Sequence, residues 1–234
     1  MSGNLPNWIA FWDRPHSIYV NQRHLDAHCR DVARGIVALL PGPQARVLDF
    51  GCGEATHAGL VAEAAAQLTL SDAAASVRAH LAERFAGNRK IGVLSPDEVE
   101  RLPAGSLDLI VVNSVAQYLS AAELDRWLAI WHRLIAPGGA LILADVIPPH
   151  ASPLTDAWAL MRYAHANGFL FAAMLGVAKT LFSSYRKIRA ELGISTYRET
   201  EIVAKIAAQG YAVERVPFNL EHNPSRMTFR ARPV

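Results

Sequence analysis

Two glycines and two carboxylates stand at a spacing that suits the binding of a nucleotide-like cofactor. Gly51 and Gly53 lie in "VLDFGCGEATHAG", residues 47–59, where a short apolar run reaches Asp49 and small residues follow. Glycine lets the backbone approach a ligand closely, and the free N–H groups of a following helix attract anionic groups. Asp72 comes after a second apolar run, at the distance of about 20 residues from which a carboxylate reaches ribose hydroxyls.

Other interpretations of these residues stay open. Asp72 could cap a helix over 73–86, a role compatible with ribose binding, and Cys52 could be present only because it is small. The dinucleotide pattern G-x-G-x-x-G requires glycine or alanine where Thr56 stands, and Asp49 would be an unfavourable neighbour for a pyrophosphate. A nicotinamide cofactor is therefore the weaker interpretation.

Polar side chains follow later apolar runs as well, and ligands of parallel sheets bind at those carboxyl ends. After the third and fourth runs come Ser95, Asp97, Glu98, Asn113 and Ser114. Weak candidates for a catalytic acid or base are Asp145, His150 and His222, each with a structural alternative in capping, turn formation or solvent exposure. His24 and His28 have the i, i+4 spacing of a metal pair, but no third ligand has matching spacing, so no metal is predicted.

The elements that must position these residues alternate between strands and helices. Strands are predicted in "ARVLDF", "QLTLS", "KIGVL", "SLDLIVVN" and "GALILADVI", and helices over 21–40, 54–66, 72–86 and 120–135. Continuous apolar strands alternating with helices indicate a parallel sheet covered on both faces. Residues 153–190 are predicted to be helical, 197–209 to form a helix, and "YAVERVPF" and "RMTFRARP" to form an antiparallel pair.

Composition narrows the class of protein. The 234 residues are 51% hydrophobic and carry a net charge of +2, which favours one folded domain and gives no basic face for nucleic acid. Two cysteines give no disulfide framework. The start has no signal-peptide pattern, and the apolar window over 168–178 is too short to cross a bilayer. We therefore expect a cytoplasmic protein without an integral membrane span.

The chain resembles the class I S-adenosylmethionine-dependent methyltransferases, especially the branch acting on small molecules. The resemblance rests on "VLDFGCGEA", on Asp72 in "LTLSDA", on "LPAGSLDLIVVNSVAQYL" and on "RLIAPGGALILADV", and it covers roughly residues 45–147. It implies a Rossmann-like, doubly wound α/β fold with a seven-stranded, mostly parallel sheet. One departure is Ala55, where many members have a third glycine.

The resemblance also implies a cofactor and roles for matching positions. S-adenosyl-L-methionine would be the methyl donor and S-adenosyl-L-homocysteine the product. The predicted cofactor contacts are Asp49, Gly51, Cys52 and Gly53 for the methionine part, Asp72 for ribose, Asp97 or Glu98 for adenine, and Asn113 and Ser114 near the transferred methyl. Because N-terminal segments of related enzymes fold over the cofactor, Tyr19 and Arg23 are predicted to contact the sulfonium and the carboxylate; the alternative is that Tyr19 joins Trp8, Phe11 and Trp12 in a small hydrophobic cluster.

Four segments make up the single domain predicted for residues 1–234. They are an N-terminal arm and helix over 1–43, a cofactor-binding core over 44–150, a helical insertion or substrate cap over 151–196, and a terminal helix and hairpin over 197–234. Aromatic and aliphatic side chains of the insertion, from Trp158 to Phe182, favour an apolar, aromatic or lipid-like acceptor. Peripheral membrane contact and packing on a second subunit are alternatives for that insertion, so the chain is predicted to be a monomer or a homodimer. A non-catalytic S-adenosylmethionine-binding protein and a nicotinamide-dependent oxidoreductase remain the alternative functions.

Overall fold

A seven-stranded sheet forms the centre of the computed structural model. The structure describes residues 8–13, 19–180 and 193–234. The strand order is β3-β2-β1-β4-β5-β7-β6. The first five strands run parallel, and β7 runs antiparallel to both β5 and β6. The strands are β1 Arg46–Phe50, β2 Gln67–Ser71, β3 Ile91–Leu94, β4 Leu107–Asn113, β5 Ile135–Val146, β6 Tyr211–Val216 and β7 Met227–Pro233. The predicted doubly wound fold class is confirmed.

Helices cover both faces of this sheet, as its continuous apolar strands require. In chain order the described helices are α1 Trp8–Trp12, α2 Gln22–Leu39, α3 Ala58–Ala64, α4 Ala75–Arg84, α5 Pro96–Glu100, α6 Ala121–Leu134, α7 Pro153–Ala166, α8 Leu170–Thr180 and α9 Glu199–Ala207. On one face Trp131, Phe229 and Ile202 are fully buried between α6, α9 and the sheet. On the other face, Ile36 of α2, Val61 of α3 and Leu81 of α4 are buried against the sheet. Each such side chain stabilises the fold by roughly 1.5–3 kcal/mol relative to exposure.

Two helices begin later than the sequence pattern predicts, both beside the predicted cofactor turn. The helix predicted over 54–66 starts at Ala58, because Gly51, Gly53 and Ala55 all adopt positive φ and keep the chain in turns. The helix predicted over 72–86 starts at Ala75, and its N-cap is Ala74 rather than Asp72. The residues predicted to begin these helices therefore form loops at the carboxyl ends of β1 and β2.

The predicted helical insertion is observed as α7 and α8 up to residue 180. Hydrogen bonds attach α7 to the rest of the chain, from the Tyr163 hydroxyl to Asp31 at 2.8 Å and from Arg226 to Asp156 at 2.8 Å. Phe182 and the basic run that follows it lie outside the described residues. Within the described ranges, no helix combines the length and the apolar character that crossing a bilayer would take.

Candidate active site

The turn after β1 is built on glycine conformations. The backbone amides of Gly51 and Cys52 both donate to the carbonyl of Ser71, at 2.7 and 3.0 Å, which joins the turn to the end of β2. Gly51 has a φ of +76°, and a Cβ there would collide with Cγ2 of Val115 in the loop after β4. Gly53 has a φ of +56°, with no atom within 4 Å of the place a Cβ would take. The turn is therefore packed closely at Gly51 and open at Gly53.

Asp72, in the loop that follows β2, stabilises this turn through hydrogen bonds. Its Oδ2 accepts from the backbone amide of Gly53 at 3.0 Å, and its Oδ1 accepts from that of Ala74 at 2.8 Å. Burial raises the pKa of Asp72 although both hydrogen bonds favour the carboxylate. The alternative role of Asp72 as the N-cap of α4 is wrong, because the N-cap is Ala74. Asp72 lies two residues earlier and accepts the amide of Ala74 within the preceding turn.

Asp49 lies at the base of the turn without a donor. Its side chain is 7% exposed, and no described residue donates a hydrogen bond to its carboxylate. Burial and then the charge of Asp72 raise its pKa to about 7. A buried carboxylate without a partner is costly, so a ligand that supplies donors or positive charge would be favoured here.

The predicted adenine neighbours lie in α5, after β3. The Glu98 carboxylate accepts from the backbone amide of Ser95 at 2.7 Å and from its hydroxyl at 2.8 Å, completing a capping box. Those hydrogen bonds lower the pKa of Glu98. Asp97 is exposed on the same short helix. Their predicted role toward adenine stays a prediction.

Polar residues at the ends of β4 and β5 form one network. Asn113 donates to Oε1 of Glu221 at 2.8 Å, and the Ser114 hydroxyl donates to Oδ2 of Asp145 at 2.8 Å. Ser114 and Asp145 have φ values of +57° and +59°, a strained region for side chains of this size. Asn219 both accepts from the Asp145 amide and donates to its Oδ1, each at 3.0 Å. Burial, followed by the charge of Glu221, raises the pKa of Asp145 to about 7.

Glu221 was absent from the candidates drawn from the sequence. It lies in the loop between β6 and β7, with 10% of its side chain exposed, and its Oε2 is 3.1 Å from Nδ1 of His28. Burial acts to raise the pKa of Glu221, but His28 and the Asn113 hydrogen bond outweigh it and hold the pKa below its ordinary value. One signal was available: a hairpin whose last strand is antiparallel to β5 places its loop at the carboxyl edge of the sheet.

Imidazole and phenol rings gather on the α2 side of Glu221. His24 stacks on Phe169 and His222 stacks on Tyr163, both with ring centroids 4.9 Å apart, while the Tyr19 ring is 5.2 Å from that of His28. Burial is the main cause that lowers the pKa of His24 to about 4 and also lowers the pKa of His222. A cavity of about 280 Å³ opens beside this cluster, lined in part by His28, Tyr163, Glu221 and His222. No group of three or more metal-ligand side chains is found in the described ranges.

The remaining predicted contacts are spread around this edge. His150 is exposed in the turn after β5 and has no hydrogen-bond partner among the described residues. Arg23 is exposed and donates to the carbonyl of Gly168 at 3.2 Å, which attaches it to the insertion. Tyr19 packs with the histidines, whereas Trp8, Phe11 and Trp12 pack on one another, so the alternative of one shared aromatic cluster is wrong.

Helix α1 lies across the same edge of the sheet. Trp8 and Trp12 contact the ring of Tyr118, with centroids 4.6 and 5.6 Å apart, in the short turn that follows β4. Asp13 accepts from the backbone amide of Ser76 at 2.7 Å, in the first turn of α4. The arm therefore joins the loop after β4 to the helix after β2, on either side of the glycine turn.

Comparison with known proteins agrees with this arrangement. Residues 48–141 match the methyltransferase domain family. The chain is 31% identical over 144 residues to a trans-aconitate 2-methyltransferase of Streptomyces avermitilis, covering 58% of this chain and 51% of the relative. It is 28% identical over 126 residues to a malonyl-[acyl-carrier protein] O-methyltransferase of Pectobacterium atrosepticum, covering 53% and 47%. The chain thus spans about half the length of the curated relatives it matches.

A solved structure has the same fold over nearly the whole chain. Magnesium protoporphyrin IX methyltransferase of Synechocystis, determined with bound S-adenosylhomocysteine, aligns with a TM-score of 0.58 at 15% identity, covering 96% of this chain and 91% of that one. Neither alternative function receives support from these comparisons. The domain match runs from β1 to β5 and includes the glycine turn, so this part of the chain is similar to the methyltransferase domain family.

Proposed function

We propose that this chain transfers the methyl group of S-adenosylmethionine to a small-molecule acceptor and releases S-adenosylhomocysteine. The observation that carries the proposal is the contact between Gly51 and Val115, which sets the glycine turn directly beside Asn113 and Ser114 and the network they form. When bound, S-adenosylmethionine supplies a methyl group that leaves its sulfur without the bonding electrons. The chain contributes by holding both partners in line, an effect worth up to roughly 7–11 kcal/mol in well-oriented systems.

The residues around the turn fit the donor chemically. S-adenosylmethionine brings ribose hydroxyls and an ammonium group, all of which are hydrogen-bond donors. Asp49 is a largely buried carboxylate that accepts no hydrogen bond from the described residues, and the Oδ1 atom of Asn113 is fully buried without a partner. The open space at Gly53 leaves room for a ligand to approach the backbone.

These features support the following assignment within the proposal. Asp72 holds the ribose, and Asp49 faces the ammonium either directly or through water. The residues that complete the donor site are Gly51, Cys52, Gly53, Asp97, Glu98, Asn113, Ser114, Tyr19 and Arg23.

The exposed face of the insertion supports an acceptor with an apolar or lipid-like part. Leu154 and Trp158 of α7 are 82% and 66% exposed, and Phe171 and Met174 of α8 are 74% and 58% exposed. Tyr163 of α7 and Phe169, in the link between α7 and α8, belong to the ring cluster. An apolar acceptor could therefore span from this surface to the polar network. A monomer or homodimer in the cytoplasm remains part of the proposal.

Isothermal titration calorimetry tests the donor site directly. We expect binding of S-adenosylmethionine and S-adenosylhomocysteine, loss of affinity in Asp72→Asn, and no change in Glu83→Gln, which removes an exposed carboxylate from α4. Binding of NAD without S-adenosylmethionine would overturn the proposal. Donor binding without any labelled methyl transfer to a metabolite extract would instead support the non-catalytic alternative.

The same exposed apolar face could contact a membrane surface, and we include this contact in the proposal as a separately tested part. Co-sedimentation with vesicles of phosphatidylcholine and phosphatidylglycerol is expected to retain the wild-type protein and to lose Trp158→Ser/Phe171→Ser. Equal recovery of both proteins in the supernatant would remove membrane contact from the proposal and leave a free apolar acceptor.

A further inference from the structure

We infer that His28 removes a proton from a hydroxyl group of the acceptor, and that Glu221 is the residue that positions His28 for this step. The inference rests on the proposed methyl transfer and names the substrate class: an alcohol or a phenol. Neither residue was among the catalytic candidates that the sequence pattern offered.

Both oxygens of Glu221 are held by groups from different elements. Oε2 lies 3.1 Å from Nδ1 of His28 on α2, and Oε1 accepts from Asn113 of β4 at 2.8 Å. A carboxylate at Nδ1 keeps the proton of a neutral imidazole on that nitrogen and stabilises the cation formed on protonation. Nε2 of His28 is therefore the basic nitrogen, and it has no hydrogen-bond partner among the described residues.

The pair lies next to the proposed methyl donor. Asn113 and Ser114 directly precede Val115, the residue that packs on Gly51 of the glycine turn. The ring of Tyr19 lies on the same side of the pair, with its centroid 5.2 Å from that of His28. On the other side, His28 and Glu221 line the cavity of about 280 Å³ beside Tyr163 and His222.

The surroundings of His28 favour a protonatable but buried base. Burial acts to lower its pKa, and the charge and hydrogen bond of Glu221, with smaller contributions from Asp145 and Asp31, raise it above the ordinary value. The titratable groups that face His28 come from five elements of the fold. They are His24 and Asp31 of α2, Tyr19 of the arm, Tyr163 of α7, Asp145 of β5, and Glu221 and His222 of the β6–β7 loop.

The chemistry of the acceptor decides whether such a base has a use. A hydroxyl keeps its proton at neutral pH, so its oxygen gains nucleophilicity when Nε2 takes that proton and the oxygen retains the electron pair. The carboxylate of Glu221 then balances the imidazolium charge. A carboxylic acid is already ionised at neutral pH and needs no base. The pair therefore points to hydroxyl acceptors rather than carboxylates.

Nuclear magnetic resonance of the full chain, with ¹⁵N-labelled histidine, tests the pair without turnover. We expect one imidazole, identified by its absence in His28→Gln, to titrate above 6.5 and to carry its proton on Nδ1 when neutral. Glu221→Gln should lower that pKa, whereas His80→Gln, an exposed site on α4, should not change it. A proton on Nε2, or a pKa unaffected by Glu221→Gln, would overturn the inference.

Methyl transfer provides the second readout. With labelled S-adenosylmethionine and a metabolite extract, the methylated product identified by mass spectrometry should be an ether. His28→Gln should lower kcat by about 10²–10⁴-fold while calorimetric affinity for S-adenosylmethionine changes less than twofold. In wild type, kcat should fall as pH drops through the pKa of His28, and Glu221→Gln should move that limb to lower pH.

The possible failures are distinguishable. A methyl ester product, or wild-type turnover by His28→Gln, overturns the inference and leaves the proposed function intact. Failure of the wild-type protein to bind S-adenosylmethionine overturns both.

Discussion

The Oδ2 atom of Asp72 accepts a hydrogen bond from the backbone amide of Gly53 at 3.0 Å, so the loop after β2 holds the turn after β1. The same carboxylate is the proposed ribose ligand. Because one oxygen is already engaged with the turn and the other with Ala74 at 2.8 Å, ribose hydroxyls would share oxygens that also fix the backbone. Removal of Asp72 is therefore expected to affect both the ligand and the shape of its site.

Asp72→Asn should weaken S-adenosylmethionine binding by about 10–100-fold, or roughly 1.4–2.8 kcal/mol, because an amide offers one acceptor oxygen in place of two. Calorimetry measures the affinity, and thermal unfolding reports the accompanying loss of the Gly53 hydrogen bond, on the order of 1 kcal/mol. Glu83→Gln is the control that removes a surface carboxylate. Unchanged affinity in Asp72→Asn would refute the ribose role.

The two glycines of the turn should differ in their tolerance of alanine. Both have positive φ, which costs an L-residue roughly 1–2 kcal/mol, but only Gly51 faces a side chain at close range, that of Val115. We expect Gly51→Ala to lower the free energy of unfolding by about 1–3 kcal/mol more than Gly53→Ala, since overpacking adds to the backbone cost. Urea unfolding of the two variants makes the comparison, and equal losses would contradict the close packing at Gly51.

Asp49 gives a prediction for pH. Its pKa is raised to about 7 in the folded chain from an ordinary 3.8, so the folded state holds the proton more tightly than the unfolded state does. The stabilisation that comes from protonated Asp49 is fully present below pH 3.8 and is lost as the pH rises through about 7. Asp49→Asn should therefore leave unfolding near pH 4 almost unchanged and raise the free energy of unfolding at pH 8 by as much as roughly 4 kcal/mol.

Chemical denaturation at a series of pH values measures this difference. Asp97→Asn, at an exposed site, should show no such trend. A stability gain for Asp49→Asn that is the same at pH 4 and pH 8 would show that the buried charge is not its cause.

Variants of Tyr19 and Arg23 test the predicted contacts between the N-terminal arm and the methyl donor. If Tyr19 and Arg23 contact the donor, Tyr19→Phe and Arg23→Ala should each weaken S-adenosylmethionine binding by about 3–10-fold in calorimetry. Arg23 already donates to the Gly168 carbonyl at 3.2 Å, so its variant should also loosen the insertion. Affinities equal to wild type in both variants would rule out the predicted role of these two residues.

Much of the fold follows from local patterns, whereas the network at its edge depends on long-range contacts. Apolar runs and glycine turns are features of neighbouring residues, so the parallel order and the terminal hairpin could be predicted from them. Asn113 and Glu221 are 108 positions apart, and no periodicity joins them. His28 appeared in the sequence only as half of an i, i+4 pair with His24, while the structure turns the two toward different partners, Glu221 and Phe169.

The late helix starts have a related cause. Asp72 is a good capping residue by type, and local preference alone would place a helix after it. Its carboxylate instead reaches Gly53, 19 positions earlier, and that tertiary contact displaces the helix start to Ala75. The same competition delays α3, where positive φ at Ala55 keeps the chain in a turn.

The ion pair between Asp156 and Arg226 should influence turnover indirectly, through the loop that carries Glu221. It joins α7 to the loop that carries Glu221, at 2.8 Å, with 10% of the Arg226 side chain exposed, and Asn223 donates to the same Asp156 oxygen. We expect Asp156→Ala to lower kcat several-fold by releasing that loop and to leave S-adenosylmethionine affinity unchanged. The loss of stability should be on the order of 1–3 kcal/mol, because Arg226 would keep a buried charge without its partner.

A matched control lies on the same hairpin. Arg230 and Glu214 form a pair at 3.1 Å on the surface, and Glu214→Ala should leave both stability and kcat close to those of the wild type. Labelled methyl transfer and urea unfolding on both variants separate the two effects. Equal kcat in Asp156→Ala and wild type would mean that the loop holds Glu221 in place without help from the insertion, since Asn113 and His28 would then suffice to fix the carboxylate.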